Sequence, residues 1–257
     1  MVIKNSCEIF GLPGSGKTFL RSKIKKKIEE EGYRVLNSKE VITEFLKLYY
    51  KTSLFEKSCL KYFELFIKIE NYDKNFKKNL KKITYQKKKS LKNAISNIIR
   101  KGYYNLCKKI VRQNKNKIKF LNQIEKSFAV SKKKIYLEWF YELLAATIIF
   151  EKASKNINKI FFFPDEAFVQ KIYIFGKLPI KNKKKIIKSY ISDMPIFNKI
   201  IYLKTDFNKV IKINKLRKKN QIQKYQLKKN IKKYYSIEKQ IFKYKKFLKY
   251  KEFKSKI

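Results

Sequence analysis

The chain has 257 residues, with 66 Lys and Arg against 20 Asp and Glu and a formal net charge of +46. At 44% apolar residues it can bury a core, which excludes a wholly disordered chain. It has no His, and its three cysteines, Cys7, Cys59 and Cys107, are far apart without a CxxC pair, so zinc sites, histidine acid–base catalysis and a disulfide framework lose their residues.

Residues 7–10 read as a short strand, 11–18 as a glycine-rich loop, and 19–31 as a helix that Gly32 ends. Residues 33–36 suit a second strand, and Ser38 is placed to N-cap a helix with Val41, Phe45, Leu48 and Tyr49 at a spacing near 3.6. Further helical pattern runs over 54–69. Residues 74–134 read as Lys- and Asn-rich helices broken near Gly102 and Asn114. Their apolar positions Ile95, Ile98, Ile99, Leu106 and Ile110 mark a helical insertion and not a linker.

From Lys134 to about Ser154 comes the most apolar helix, with Tyr136, Trp139, Phe140, Leu143, Leu144 and Ile148; apolar residues nearly all round predict burial. Its greasiest stretch, 139–150, carries Glu142 and falls short of the roughly 20 residues of a membrane span. The unbroken apolar run at 159–163 predicts a buried parallel strand, followed by a helix over about 167–175 and a basic helix at 182–191. Residues 199–203 suit a third strand. From Asp206 the tail reads as helical, with Leu227, Ile231, Tyr234, Ile241, Tyr244 and Leu248 at helix spacing, and no further strand is evident in it. The first strand follows Met1 so directly that no signal peptide fits, and a cytoplasmic chain is expected.

The charge is uneven: residues 74–134 and 204–257 hold +37 of the +46, and the first of these blocks has one acidic residue, Glu125. Only five basic residues are Arg, namely Arg21, Arg34, Arg100, Arg112 and Arg217. Abundant Lys, Asn, Ile, Tyr and Phe match AT-rich codons, so genome composition accounts for Lys over Arg. An anionic partner, nucleic acid or a membrane surface, is the other source of such charge.

Gly11-Leu-Pro-Gly-Ser-Gly-Lys17-Thr18 matches the pattern GxxxxGK[ST] between a strand and a helix. Gly11, Gly14 and Gly16 permit backbone angles that side chains block, so successive N–H groups of the loop, Ser15 among them, turn inward around a phosphate at a helix N-terminus. Pro13 adds rigidity. Lys17 supplies a positive charge for the β and γ phosphates, and the Thr18 hydroxyl is a hard oxygen ligand for Mg²⁺. Such a loop needs an acidic residue at the end of a neighbouring strand, and the segment Phe161-Phe-Phe-Pro-Asp165-Glu166 supplies it. Asp165 is the magnesium candidate; Glu166 suits polarising an attacking hydroxyl or water, or capping the next helix.

At these residues the chain resembles P-loop kinases of the nucleoside-monophosphate-kinase-like group, within the P-loop containing nucleoside triphosphate hydrolase superfamily. Residues 194–206 and Arg217 are similar to the segment leading into the basic lid of thymidylate-kinase-like proteins. The resemblance implies an α/β domain over 1–257 with a parallel five-stranded sheet flanked by helices, a helical insertion at 74–134 and a lid-like, helical tail at 204–257. It also implies transfer of the γ-phosphoryl group of Mg-ATP to a small acceptor, with Lys17, Asp165, Glu166 and Arg217 as catalytic residues. The preceding lid Arg position holds Ile213, with Lys215, Lys218 and Lys219 nearby as point charges, and the usual acceptor motif is not recognisable in residues 37–40.

An ATPase or GTPase in which Glu166 activates water for a partner's use has the same acidic pair. A nucleic-acid-directed protein has the basic tail with Tyr234, Tyr235 and Tyr244 among lysines, although these tyrosines also fall at helix-packing positions.

Overall fold

The computed structural model describes residues 2–71, 89–114, 121–122, 124–125, 134–175, 183–216, 221–243 and 250–254. Its strands are β1 (Val2–Phe10), β2 (Arg34–Leu36), β3 (Ile160–Phe162), β4 (Ile196–Lys204) and β5 (Tyr250–Lys254). They form one sheet in the order β2-β3-β1-β4-β5, with every neighbouring pair parallel. The described helices are α1 (Lys17–Glu30), α2 (Ser38–Tyr49), α3 (Leu54–Asn71), α4 (Lys89–Gln113), α5 (Lys134–Ala153), α6 (Phe168–Phe175), α7 (Lys183–Asp193), α8 (Phe207–Leu216) and α9 (Gln221–Lys243). The fold is α/β. Among the described residues no helix is long and apolar enough to cross a membrane.

Period-two alternation explains why these strands read as continuous apolar runs, because both faces are covered. Cys7, Ile9, Phe161, Phe163, Ile201 and Leu203 point to a small core with Ile28 of α1, while Phe10, Ile160, Phe162, Ile200 and Tyr202 point to a large one. Helix α5 crosses that larger core with its residues 143–146 buried, as an all-round apolar helix should. Tail helix α9 belongs to the same core through Ile231, Tyr234, Ile237 and Ile241.

Several local readings change. β1 begins at Val2, and its pairing with β4 shifts between Ile3 and Cys7, where Asn5 takes φ 46°. There the buried Ser6 hydroxyl donates to Ile3 O at 2.5 Å and accepts from Asn198 N at 3.1 Å. The cap of α2 is Asn37 and not Ser38: Asn37 Oδ1 accepts from Lys39 N (2.9 Å) and Glu40 N (3.0 Å), and Glu40 Oε2 accepts from Asn37 N (2.7 Å). Asn37 wins because the reciprocal bond needs a carboxylate three residues on, and Glu40 stands there. Gly32 ends α1 as expected, at φ 82°, with Tyr33 N bonded to Ile28 O and Gly32 N to Glu29 O.

The tail contains a strand that its sequence does not announce. β5 pairs with β4 from Tyr250 opposite Ile200 to Lys254 opposite Lys204. Three of its five residues are charged, so it carries no apolar alternation; its place is fixed by a neighbour remote in sequence, at a sheet edge where lysines are favoured.

Helix α4 runs unbroken through Gly102 and stops at Asn114, whose side chain donates to Ile110 O at 2.8 Å. At Gly102 an added Cβ would lie 2.5 Å from Cys59 Sγ and 2.9 Å from the Phe55 ring, so the glycine permits close approach of α4 to α3 and does not mark a break. Leu106 and Ile110 are buried, while Ile98 is 56% exposed. Gly102→Ala gains about 1 kcal/mol of helix propensity and loses roughly 1–3 kcal/mol to overpacking. The expected result is a net loss of stability in chemical denaturation.

Candidate functional site

β1 lies mid-sheet between β3 and β4, so its carboxyl end delivers residues 11–18 to the crevice where connections leave in opposite directions. Gly11, Gly14 and Gly16 all take positive φ, at 153°, 88° and 90°. A Cβ on Gly11 would sit 2.7 Å from Leu203 O of β4, so the loop's close approach to that strand requires glycine. Ser15 N bonds to Leu12 O at 3.1 Å and closes the turn.

Gly16, left-handed, is the N-cap of α1; no side chain caps the helix and its first turn has no acidic residue. The uncapped N–H groups and the helix dipole make this end suited to an anion. Lys17 Nζ donates to Gly11 O (2.8 Å) and Leu12 O (2.9 Å), reaching back across the loop. Burial pushes this ammonium down to about 8, against the opposing pull of Glu166 and Glu238. Pro13 and Gly14 are partly buried, Ser15 is buried, and Thr18 is exposed.

The acidic pair follows β3. Pro164, which lacks an N–H, stands just past the strand's end and directs the chain into the turn that carries Asp165 and Glu166, both exposed. One helical turn beyond Lys17, Arg21 holds this turn to α1: its Nη1 pairs with Asp165 Oδ1 at 2.7 Å, its Nη2 donates to Phe163 O at 2.5 Å, and its guanidinium lies 5.1 Å from the Phe163 ring centroid. The structure thus brings Asp165 to α1 in an ion pair with Arg21. Arg217 lies outside the described residues, as do Lys218, Lys219, Tyr244 and Leu248.

A relay that sequence reading missed ties this turn to the loop. Buried Glu8 of β1 accepts from Gln170 N at 2.8 Å near the amino end of α6, and Gln170 Oε1 accepts from Gly11 N at 3.1 Å. Burial pushes the Glu8 carboxyl up to about 8, against backbone donors of α6 and the charge of Lys171. From the other side, Glu238 of α9 is buried and accepts from Tyr173 at 2.8 Å. Their signal was a charged or amide residue within an apolar run: Glu8 between Cys7 and Ile9, and Gln170 with Lys171 in α6.

Beside the acidic turn is a cavity of about 360 Å³. Asn37, Ser38 and Lys39 from the start of α2, Trp139 and Glu142 of α5, and Lys171 of α6 line it with Asp165 and Glu166. Residues 37–40, in which no acceptor motif is legible, therefore both cap α2 and help shape this cavity. The tyrosines of the tail are divided: Tyr234 is buried edge-on against Tyr173 at 5.8 Å, while Tyr235 is 38% exposed. Among the described residues no three His, Cys, Asp or Glu side chains cluster to hold a metal ion. Burial pushes the Cys7 thiol up to about 12 and the Cys107 thiol well above its ordinary value, so neither is a thiolate nucleophile near neutral pH.

Comparison of the chain with protein-family models, curated proteins and solved structures finds no match in any of the three.

Proposed function

We propose that the chain is a P-loop kinase-like phosphotransferase that binds a nucleoside triphosphate on residues 11–18 and passes its γ-phosphoryl group to a small acceptor. The observation that carries this reading is the loop itself: three glycines at positive φ, an uncapped α1 amino end and Lys17 folded across them. Backbone N–H groups at that end would hold the phosphates, with the Lys17 ammonium moving from two carbonyls to phosphate oxygens. Thr18 and Asp165 carry hard oxygen donors of the kind magnesium takes; to hold the ion Asp165 would have to share its carboxylate with Arg21, and the ion, when bound, would neutralise phosphate charge. Glu166 would accept the proton of the attacking hydroxyl as its oxygen bonds to the γ-phosphorus and the bond to the bridging oxygen breaks. Arg217 is the proposed lid contact. Three free, buried cysteines support a reducing, cytoplasmic setting.

The test is a screen of hydroxyl-bearing and phosphate-bearing acceptors with γ-labelled ATP and GTP. Acceptor-dependent label is expected; its absence across the screen, with triphosphate bound, contradicts transfer. Hydrolysis with a protein partner is the second reading, favoured by Glu166 standing exposed beside the cavity with Lys17 within its field. On the transferase reading Glu166→Gln lowers acceptor labelling roughly 10²–10⁴-fold. Steady acceptor-free hydrolysis that Glu166→Gln abolishes would instead establish the second reading.

A further inference from the structure

We propose that the 360 Å³ cavity beside the acidic turn takes an uncharged or cationic molecule, bearing hydroxyl or amine groups on a flat ring, and discriminates against phosphomonoesters. Naming it the acceptor rests on the phosphotransferase reading above; its binding preference does not.

The charge of the lining sets the preference. Glu142, Asp165 and Glu166 outnumber Lys39 and Lys171, and among the described residues no guanidinium lines the cavity to grip a phosphate in bidentate fashion. Arg21 already neutralises Asp165 from the α1 side at 2.7 Å, which leaves Glu142 and Glu166 facing Lys39 and Lys171. A phosphomonoester would add up to two negative charges to a site whose own charges are already balanced.

Lys171 shows what the ligand must supply. Its residue is 6% exposed, and its ammonium lies 5.7 Å from the Trp139 ring centroid and 5.8 Å from that of Phe140. It lines the cavity together with Glu142, Asp165 and Glu166. The fields of Glu166, Glu142, Glu8 and Asp165 already act on its charge. A hydroxyl or carbonyl oxygen or a ring nitrogen placed in the cavity would accept from this ammonium without adding charge.

Trp139 supplies the flat wall. Tyr136 packs edge-on with its indole at 5.2 Å and the Lys171 ammonium lies over the same ring, and an aromatic side chain in the cavity wall favours a ligand with a flat ring. The volume falls within the range of small-molecule sites, about 300–1,000 Å³.

Trp139 is the chain's one tryptophan, so its emission reports occupancy directly. The experiment titrates the full chain, without nucleotide, with thymidine, adenosine and tyramine and with the O-phosphate of each. At least one unphosphorylated probe is expected to change the emission saturably and to bind at least about tenfold more tightly than its phosphate. Glu142→Gln, which removes one negative charge, should narrow that gap. Lys171→Met should weaken the unphosphorylated probe; if that variant is unfolded by circular dichroism, the Glu142→Gln comparison decides. A phosphate that binds as tightly as its parent, or no response to any of the six probes, overturns the proposal. The titration is repeated in Lys17→Ala, where cavity binding should survive. Binding there without phosphoryl transfer by the wild type refutes the transferase reading alone, whereas triphosphate turnover with no cavity binding refutes the cavity alone.

Discussion

Lys17→Ala is expected to weaken binding of a magnesium nucleoside triphosphate by roughly 10²–10³-fold while leaving the melting temperature unchanged or raised. The two halves of that result have one cause. In the free protein the Lys17 ammonium is desolvated and donates to two loop carbonyls, and burial brings it down to about 8 against the pull of Glu166 and Glu238. A base whose folded value lies below its unfolded value of 10.5 lowers stability at neutral pH, and that loss is recovered as pH rises from about 8 toward 10.5. Removing it at pH 7 therefore costs the fold little. Phosphate oxygens raise the ammonium's affinity for its proton again, so wild-type binding should be level below pH 8 and fall by up to about tenfold per unit above it. Calorimetric titration in buffers of different ionisation heat should detect proton uptake near pH 8 in the wild type and none in the alanine variant.

Glu8 governs the second large effect, on stability. Its folded value of about 8 exceeds the ordinary 4.5, so the native state holds a proton that the unfolded chain releases between those values. Stability from this group is full below about pH 4.5 and is lost as pH rises toward 8, a change on the order of 5 kcal/mol. Burial raises Glu142 and Glu238 in the same direction, and half-buried Glu56, lowered by its hydrogen bonds to Ser53 and Lys109, opposes them. Urea denaturation should therefore show a more stable protein at pH 5 than at pH 8. Glu8→Gln keeps an oxygen acceptor for Gln170 N and removes the titration, so it should flatten most of that slope and stabilise the protein at pH 8. A wild type that gains stability between pH 5 and pH 8 would contradict this. Glu8→Ala leaves Gln170 N without its partner, so it should also loosen the Gly11 contact.

What could be read from the sequence followed local physics. The strand, loop and helix around residues 11–18, the buried helix α5 and the helical pattern of α4 each carry their own periodicity or glycine pattern. Gly32 was legible because a helix that ends in a left-handed turn favours glycine. Gly102 was misread because a glycine within a basic helix looks like a break until α3, some 40 residues earlier, is seen packed on it. β5 and the relay from Glu8 through Gln170 to Gly11 stayed hidden for the same reason, since their partners are remote in the chain. Asp165 is legible as the acidic end of an apolar strand, but its pairing with Arg21 needs the geometry of α1.

The charge also acquires a place. The tail reads as a helical, basic, lid-like segment with apolar residues at helix spacing, and its helix α9 buries Tyr234 and Glu238 and puts Glu238 within the field of Lys17. This segment carries much of the excess charge and also helps build the site.

Hydrogen–deuterium exchange of the full chain with and without magnesium nucleoside triphosphate tests the central claim most directly. Occupied phosphates should slow exchange at the amides of Gly14, Ser15, Gly16, Lys17 and Thr18, and this protection should vanish in Lys17→Ala. Protection confined to the basic tail, or none at these amides under saturating triphosphate, would contradict a phosphate-binding role for the loop.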